Sequence, residues 1–141
     1  MSADNDGGQT FSADDLKPVG FDATLGLEMR SAVPDEVVAT MTIDPKHHQP
    51  YGIVHGGVYC AIAESVASIS GVVWLLDTGL GTKAVGVNNS TDFLKSVPSG
   101  VITARSTPIH RGKRQQLWQV DMTDDSGQLL ATSRVRLQNL A

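Results

Sequence analysis

The stretch that decides the fold runs from His55 to Asp77, "HGGVYCAIAESVASISGVVWLLD". Between Val58 and Leu76 its only charged residue is Glu64. The run opens on two glycines and is stopped by "DTGLG", so it reads as one long helix over about Gly56 to Asp77. Its length is near that of a membrane-spanning helix. However, Ser65, Ser68, Ser70 and Gly71 dilute its hydrophobicity, no Lys or Arg cluster flanks it, and an unpaired carboxylate at mid-bilayer is costly. The expectation is a helix buried inside protein. It is apolar nearly all round, so it needs a curved sheet wrapped about it or a second subunit laid against it.

Outward from this helix the chain alternates. Upstream, Leu27, Met29, Ser31 and Val33 share one face of a first run, and Val37, Ala39, Met41 and Ile43 share one face of a second. "PDE" lies between them as a turn, which is a hairpin signal. "DDLKPVGFDATLG" before them reads as a short helical lead-in, and "PKHHQPYGIVHGG" after them is a loop. Downstream, strands are expected over about Lys83–Ser90, Val101–His110, Gln115–Thr123 and Gln128–Gln138, with "DDSG" as a tight turn before the last. Short connections make an antiparallel sheet, and a single long apolar helix must pack on one of its faces. The fold class is therefore α+β. Residues 1–12 read as a disordered tail and 13–141 as a single domain.

Composition narrows the partners. The chain has 141 residues, enough for one core. A formal net charge of −4 argues against nucleic acid, which calls for a basic face. Charged residues make up only 18% of the chain, so further surface is expected to be covered in an oligomer. A single cysteine, Cys60, excludes an intrachain disulfide and a cysteine-rich metal site, and fits a reducing compartment. The acidic, polar N-terminus carries no signal-peptide pattern, so the expected location is the cytoplasm.

Two features of the helix carry chemistry. Glu64 and Ser68 lie four residues apart and share a face. A carboxylate in an apolar site is a tunable acid or base, although a buried Glu also serves simply to bond buried donors. His55 precedes Gly56 and Gly57 at the helix start, where free N–H groups and the helix dipole favour developing negative charge. The plainer reading is a tight loop-to-helix turn capped by His55. Glu64 stands eight residues beyond Gly56, roughly 12 Å along the axis. One helix cannot easily aim both its start and Glu64 at the same reacting carbon, whereas two antiparallel copies can, which predicts a dimer with two shared sites. The basic turn "HRGKR", from His110 through Arg111, Gly112 and Lys113 to Arg114, is either solvated or holds phosphates. His47 and His48 are expected at the surface, and Cys60 in the core. No serine elbow, P-loop or dinucleotide fingerprint is present.

Taken together, "QPYGIVHGGV" and "ESVAS" resemble the hot-dog-fold acyl-CoA thioesterases, in the branch of the phenylacetate-degradation thioesterase and one type of 4-hydroxybenzoyl-CoA thioesterase. The resemblance covers about Phe21 to Leu140. It implies a hot-dog fold, a curved antiparallel sheet wrapped around one long helix, which dimerises and often forms a tetramer. It also implies roles. The Gly56 N–H would polarise the thioester carbonyl, with Gly57 beside it. Gln49 and His55 would orient the thioester or the water. Glu64 of a partner chain would be nucleophile or general base, and Ser68 would position water or acyl group. The turn His110–Arg114 would lie near the coenzyme. Where the dihydroxynaphthoyl-CoA branch often has an Asn-His pair, this chain has "TDF", and Phe93 implies an apolar or aromatic acyl wall. No metal or other cofactor is implied. The expected function is hydrolysis of an acyl-CoA thioester, aromatic or medium-chain. The alternatives are an enoyl-thioester hydratase or dehydratase and a non-catalytic acyl-CoA binder.

Overall fold

A computed structural model describes residues 16–140, together with 2–3 and 9–10. Residues 1–12, expected as a tail, lie mostly outside the described residues. Within them β1 (Ser2–Ala3) pairs antiparallel with β2 (Gln9–Thr10).

The lead-in forms α1 (Gly20–Leu25), which ends on Gly26 in the left-handed region. The hairpin follows as β3 (Leu27–Val33) and β4 (Glu36–Thr42). After a short 3-10 turn at Pro45–His47 comes the long helix, α2 (Gly56–Thr78). Four strands complete the chain: β5 (Lys83–Phe93), β6 (Val101–Arg111), β7 (Gln115–Thr123) and β8 (Leu129–Leu140). They form a six-stranded antiparallel sheet in the order β3-β4-β6-β7-β8-β5. The order of elements predicts a helix packed on an antiparallel sheet, and the arrangement is the hot-dog fold that the resemblance implies.

Register shifts in four of the strand pairs, near Met29, Gly86, Pro108 and Met122, each add local twist and help the sheet curl around α2. The shift after Met29 corrects one expectation. Val33 does not continue the buried face of Leu27 and Met29. Ala32 is buried instead and Val33 is exposed, because an extra residue in the strand exchanges the two faces.

The buried stripe of α2 is Tyr59, Ile62, Ala63, Val66, Ala67, Ser70 and Val73, at helical spacing. It packs on Met29, Val37, Met41, Ala104, Trp118, Val120 and Val135 from the sheet. By length and composition α2 could cross a bilayer, with a mean hydropathy of 1.6 over its most apolar window, but here it is the core helix of the domain. Ser70 bonds back to the Val66 carbonyl and to the Ser106 hydroxyl, which accepts the Val37 amide. The Ser70 and Ser106 hydroxyls are thereby paired.

At Gly71 the helix lies close against the sheet. A Cβ there would collide with Leu137 and crowd the Gln116 side chain, both fully buried. Gly71→Ala should therefore lower stability by about 1–3 kcal/mol through overpacking. The check is a thermal melt, in which an unchanged midpoint would show that Leu137 yields freely.

Candidate active site

The residues expected to carry the chemistry fall in three regions, and the fold places them apart. The first is the start of α2. His55 caps the helix: its Nδ1 accepts the Gly57 amide at 2.8 Å, and its carbonyl accepts the Val58 amide at 3.0 Å. Gly57 and Val58 are thus spent. The Gly56 N–H has no acceptor among the described residues and remains the free donor at the positive end of the helix dipole. With Nδ1 accepting, a neutral His55 carries its proton on Nε2.

The loop before the helix is tied down. The His47 carbonyl accepts the His55 amide at 2.8 Å, Val97 accepts from Val54, and Gly52, at φ 77°, closes the turn back to the Gln49 carbonyl. Gln49 accepts the Tyr51 amide on Oε1, leaving its side-chain NH2 unspent among the described residues. His47 corrects the expectation of a surface residue. It is 3% exposed, accepts the Asp44 amide on Nδ1 and donates from Nε2 to the Leu25 carbonyl at 2.6 Å. Both ring nitrogens are occupied, so His47 latches the end of α1 to the loop that presents His55.

A cleft of about 300 Å³ opens at this helix start, lined by Gln49, Val54, Gly56, Tyr59 and Phe93 among others. Phe93, at the end of β5, lies directly over Gly56. A Cβ on Gly56 would sit 2.7 Å from the ring, so only glycine admits this approach. Tyr59 stacks obliquely on Phe93 with centroids 6.2 Å apart. The Tyr59 hydroxyl is buried without a partner among the described residues, and burial pushes its phenol above the usual range.

The second region is the outward face of α2. Glu64 is exposed in the single chain and not sealed in the core. It has no ion pair or hydrogen bond among the described residues. Its carboxyl lies against Gly86 of β5, where a Cβ would come within 3.3 Å. A second cleft of about 300 Å³ surrounds it, lined by Phe21, Cys60, Ala61, Ser65 and Asn89. Cys60, expected in the core, is half-buried in this cleft wall. The reason is helical phase: Cys60 shares the outward face with Glu64, one turn on. Asn89 donates to the Cys60 carbonyl at 2.9 Å, and Ser65 to Asp22 of α1 at 2.6 Å. Ser68 opens into a separate apolar cleft of about 190 Å³ with Leu16, Ile69, Val72 and Val73. Phe21 and Leu16 escaped notice in the sequence because nothing local marks them. Asn89 had a faint signal, since Asn is unusual inside a strand.

The third region is the basic turn between β6 and β7. His110, Gly112, Lys113 and Arg114 line an open hollow with Gln115 and Gln138. Arg111 turns the other way. Its guanidinium lies 5.6 Å from the Trp74 ring and 5.7 Å from the Trp118 ring, and it pairs with Asp35 at 2.7 Å. This side chain pins the β3–β4 turn to the domain and leaves any anion in the hollow to Lys113 and Arg114.

The spacing of these regions follows from the register. Phe93, against Gly56, pairs with Ala131 at one end of β5, whereas Ala84, near the other end, pairs with Asn139 beside the basic turn. Within one chain the helix start and the basic turn are thus about 30 Å apart along β5, with Glu64 between them. The Gly56 and Glu64 clefts have no lining residue in common.

Comparison with known proteins agrees with this architecture. Residues 51–131 match the family model of the thioesterase superfamily. A solved Mycobacterium tuberculosis protein is 48% identical with a TM-score of 0.83, over 86% of this chain and 97% of its own. A thioesterase from Haemophilus influenzae is 34% identical with a TM-score of 0.86, over 94% of this chain and 92% of its own. The 1,4-dihydroxy-2-naphthoyl-CoA hydrolase of Escherichia coli is 33% identical over 117 residues, 83% of this chain and 82% of that enzyme. With its six-stranded sheet, its single core helix and these relatives, the chain belongs to the thioesterase superfamily and is a thioester hydrolase.

Proposed function

We propose that the protein hydrolyses an acyl-CoA thioester to the free acid and CoA, at sites each shared between two copies of the chain. One observation carries the reading: the free Gly56 N–H and the unpaired Glu64 stand on the same helix but in different clefts. Each is half of a thioester-cleaving pair.

β5 is the strand that would join the copies. It is an edge of the sheet, 11 residues long, with Val85, Val87 and Phe93 exposed along it. A long edge that exposes apolar side chains and carries no charge in its centre asks for a partner strand. Antiparallel pairing of two such edges sets the Lys83 end of one copy beside the Phe93 end of the other. That brings Glu64 of one copy toward the helix start of its mate. The basic turn of the first copy comes to the same end, where Lys113 and Arg114 would meet the coenzyme phosphates.

In this arrangement the thioester oxygen lies against the Gly56 N–H, in line with the helix dipole. Glu64 of the other copy either attacks the carbonyl carbon or takes a proton from water as the water attacks. The C–S bond breaks and the CoA thiolate leaves, to be protonated. Gln49, through its unspent NH2, and His55, through Nε2, orient the thioester or the water. Phe93 and the apolar cleft beside Ser68 suit an aromatic or medium-chain acyl group, and relatives that act on aromatic acyl-CoA are consistent with that.

Glu64→Ala should lower kcat for thiol release from a responsive acyl-CoA by about 10²–10⁴-fold. Equal rates for wild type and variant would remove Glu64 from the mechanism, and loss of an enoyl chromophore without thiol release would replace hydrolysis by hydration. The sharing of sites has its own test. Gly56→Val and Glu64→Ala chains, each inactive alone, should recover about a quarter of wild-type activity when co-refolded in equal amounts, because half the dimers are mixed and each has one intact site. A site built within one chain predicts no recovery.

A further inference from the structure

We propose that Asn139 is the positioning residue of the basic turn: it draws three carbonyls of the turn inward, so that the amides of Lys113 and Arg114 face outward as a seat for a phosphate of the coenzyme. The inference rests on the acyl-CoA reading above and adds a residue to it that lies on another strand.

The side-chain NH2 of Asn139 donates to the carbonyls of Gly112 at 2.9 Å and Lys113 at 3.0 Å, and its backbone amide donates to Arg114 at 2.9 Å. No peptide bond among the described residues is cis. In a trans peptide the carbonyl of one residue and the N–H of the next point in opposite directions. Drawing the Gly112 and Lys113 carbonyls toward Asn139 therefore turns the Lys113 and Arg114 N–H groups away from it. Neither N–H has an acceptor among the described residues. Both side chains are exposed, and neither has an ion pair among the described residues. Two adjacent outward amides flanked by two cationic side chains form an anion-binding concavity.

The orientation of Asn139 is itself determined from the core. The Trp118 indole can only donate, and it donates to Gln116 Oε1 at 2.8 Å. That leaves Gln116 Nε2 as a donor, to Asn139 Oδ1 at 2.8 Å and to the Gly71 carbonyl at 3.3 Å. Asn139 must then present its NH2 to the turn. Gln116 and Trp118 are fully buried, so this end of the relay is shielded from water and fixes the side of Asn139 that meets it. A basic turn that served only solubility would need no such support beneath it.

The test compares an acyl-CoA with the acyl-pantetheine of the same acyl group, which lacks the phosphates. Asn139→Leu should raise KM for acyl-CoA about tenfold, the effect of losing a charge-assisted contact, with kcat little changed and both constants for acyl-pantetheine unaltered. Asn139→Ser, which keeps one donor and spares the fold, should recover part of the loss. Equal losses on both substrates would make Asn139 merely structural and overturn the proposal, as would an unchanged KM for acyl-CoA. A Lys113→Met/Arg114→Met variant separates the two layers. If it loses the preference for acyl-CoA while the Asn139 variants keep it, only the role of Asn139 falls. If it and the Asn139 variants all keep that preference, the turn does not hold phosphate and the proposal falls. If wild type hydrolyses no acyl-CoA in a broad panel, the acyl-CoA reading itself fails.

Discussion

An apolar helix of 23 residues has more surface than one face of a sheet can cover, and the rest of the structure follows from how that surface is shared out. The stripe from Tyr59 to Val73 goes to the concave face of the sheet, where the approach is close enough to require Gly71. The opposite stripe, with Cys60, Glu64, Ser68 and Val72, is only partly covered by Leu16 and α1. The residues proposed to carry the chemistry lie on that second stripe and at the helix start. A helix that buries one side for stability and presents the other for function needs a polar group on the presented side. Glu64 is that group.

The supports of the site are polar contacts placed where the core ends. His47 uses both ring nitrogens to lock the loop that carries His55, and His55 uses Nδ1 to lock the helix start. Buried polar groups of this kind cost free energy unless paired, and pairing makes them rigid. The same economy appears at the other end of the molecule, where Trp118, Gln116 and Asn139 form a relay beneath the basic turn. Between the ends lies β5, an edge strand whose exposed apolar residues separate the two regions by its full length. A single chain holds both ends but cannot bring them together. The edge strand that keeps them apart is also the surface through which a second copy would reunite them.

Much of the fold was legible in the sequence because its signals are local. A long apolar run marked α2, alternation marked β3 and β4, glycine and proline marked the turns, and the observed ends of α2, β6 and β7 fall within a residue or so of those expected. Misreadings came where a local pattern is overridden at a distance. The bulge in β3 exchanged Ala32 for Val33, and His47 was drawn inward by a carbonyl 22 residues away. Arg111 belongs to a basic run in the sequence, yet its nearest partners are Trp74, Trp118 and Asp35, none of them adjacent in the chain.

The sequence by itself determined the order of elements, the helix with its single carboxylate, and the glycine-opened start, since these depend on residue type and spacing along one chain. Only the tertiary structure decided which amide at that start is free, that Phe93 closes over Gly56, that Glu64 faces outward beside Gly86, and that Asn139 sits under the basic turn. These facts depend on strand register and on contacts between residues far apart in sequence. A shift of one residue in the pairing of β5 with β8 would leave the local pattern almost unchanged while turning Phe93 away from Gly56 or Asn139 away from the basic turn.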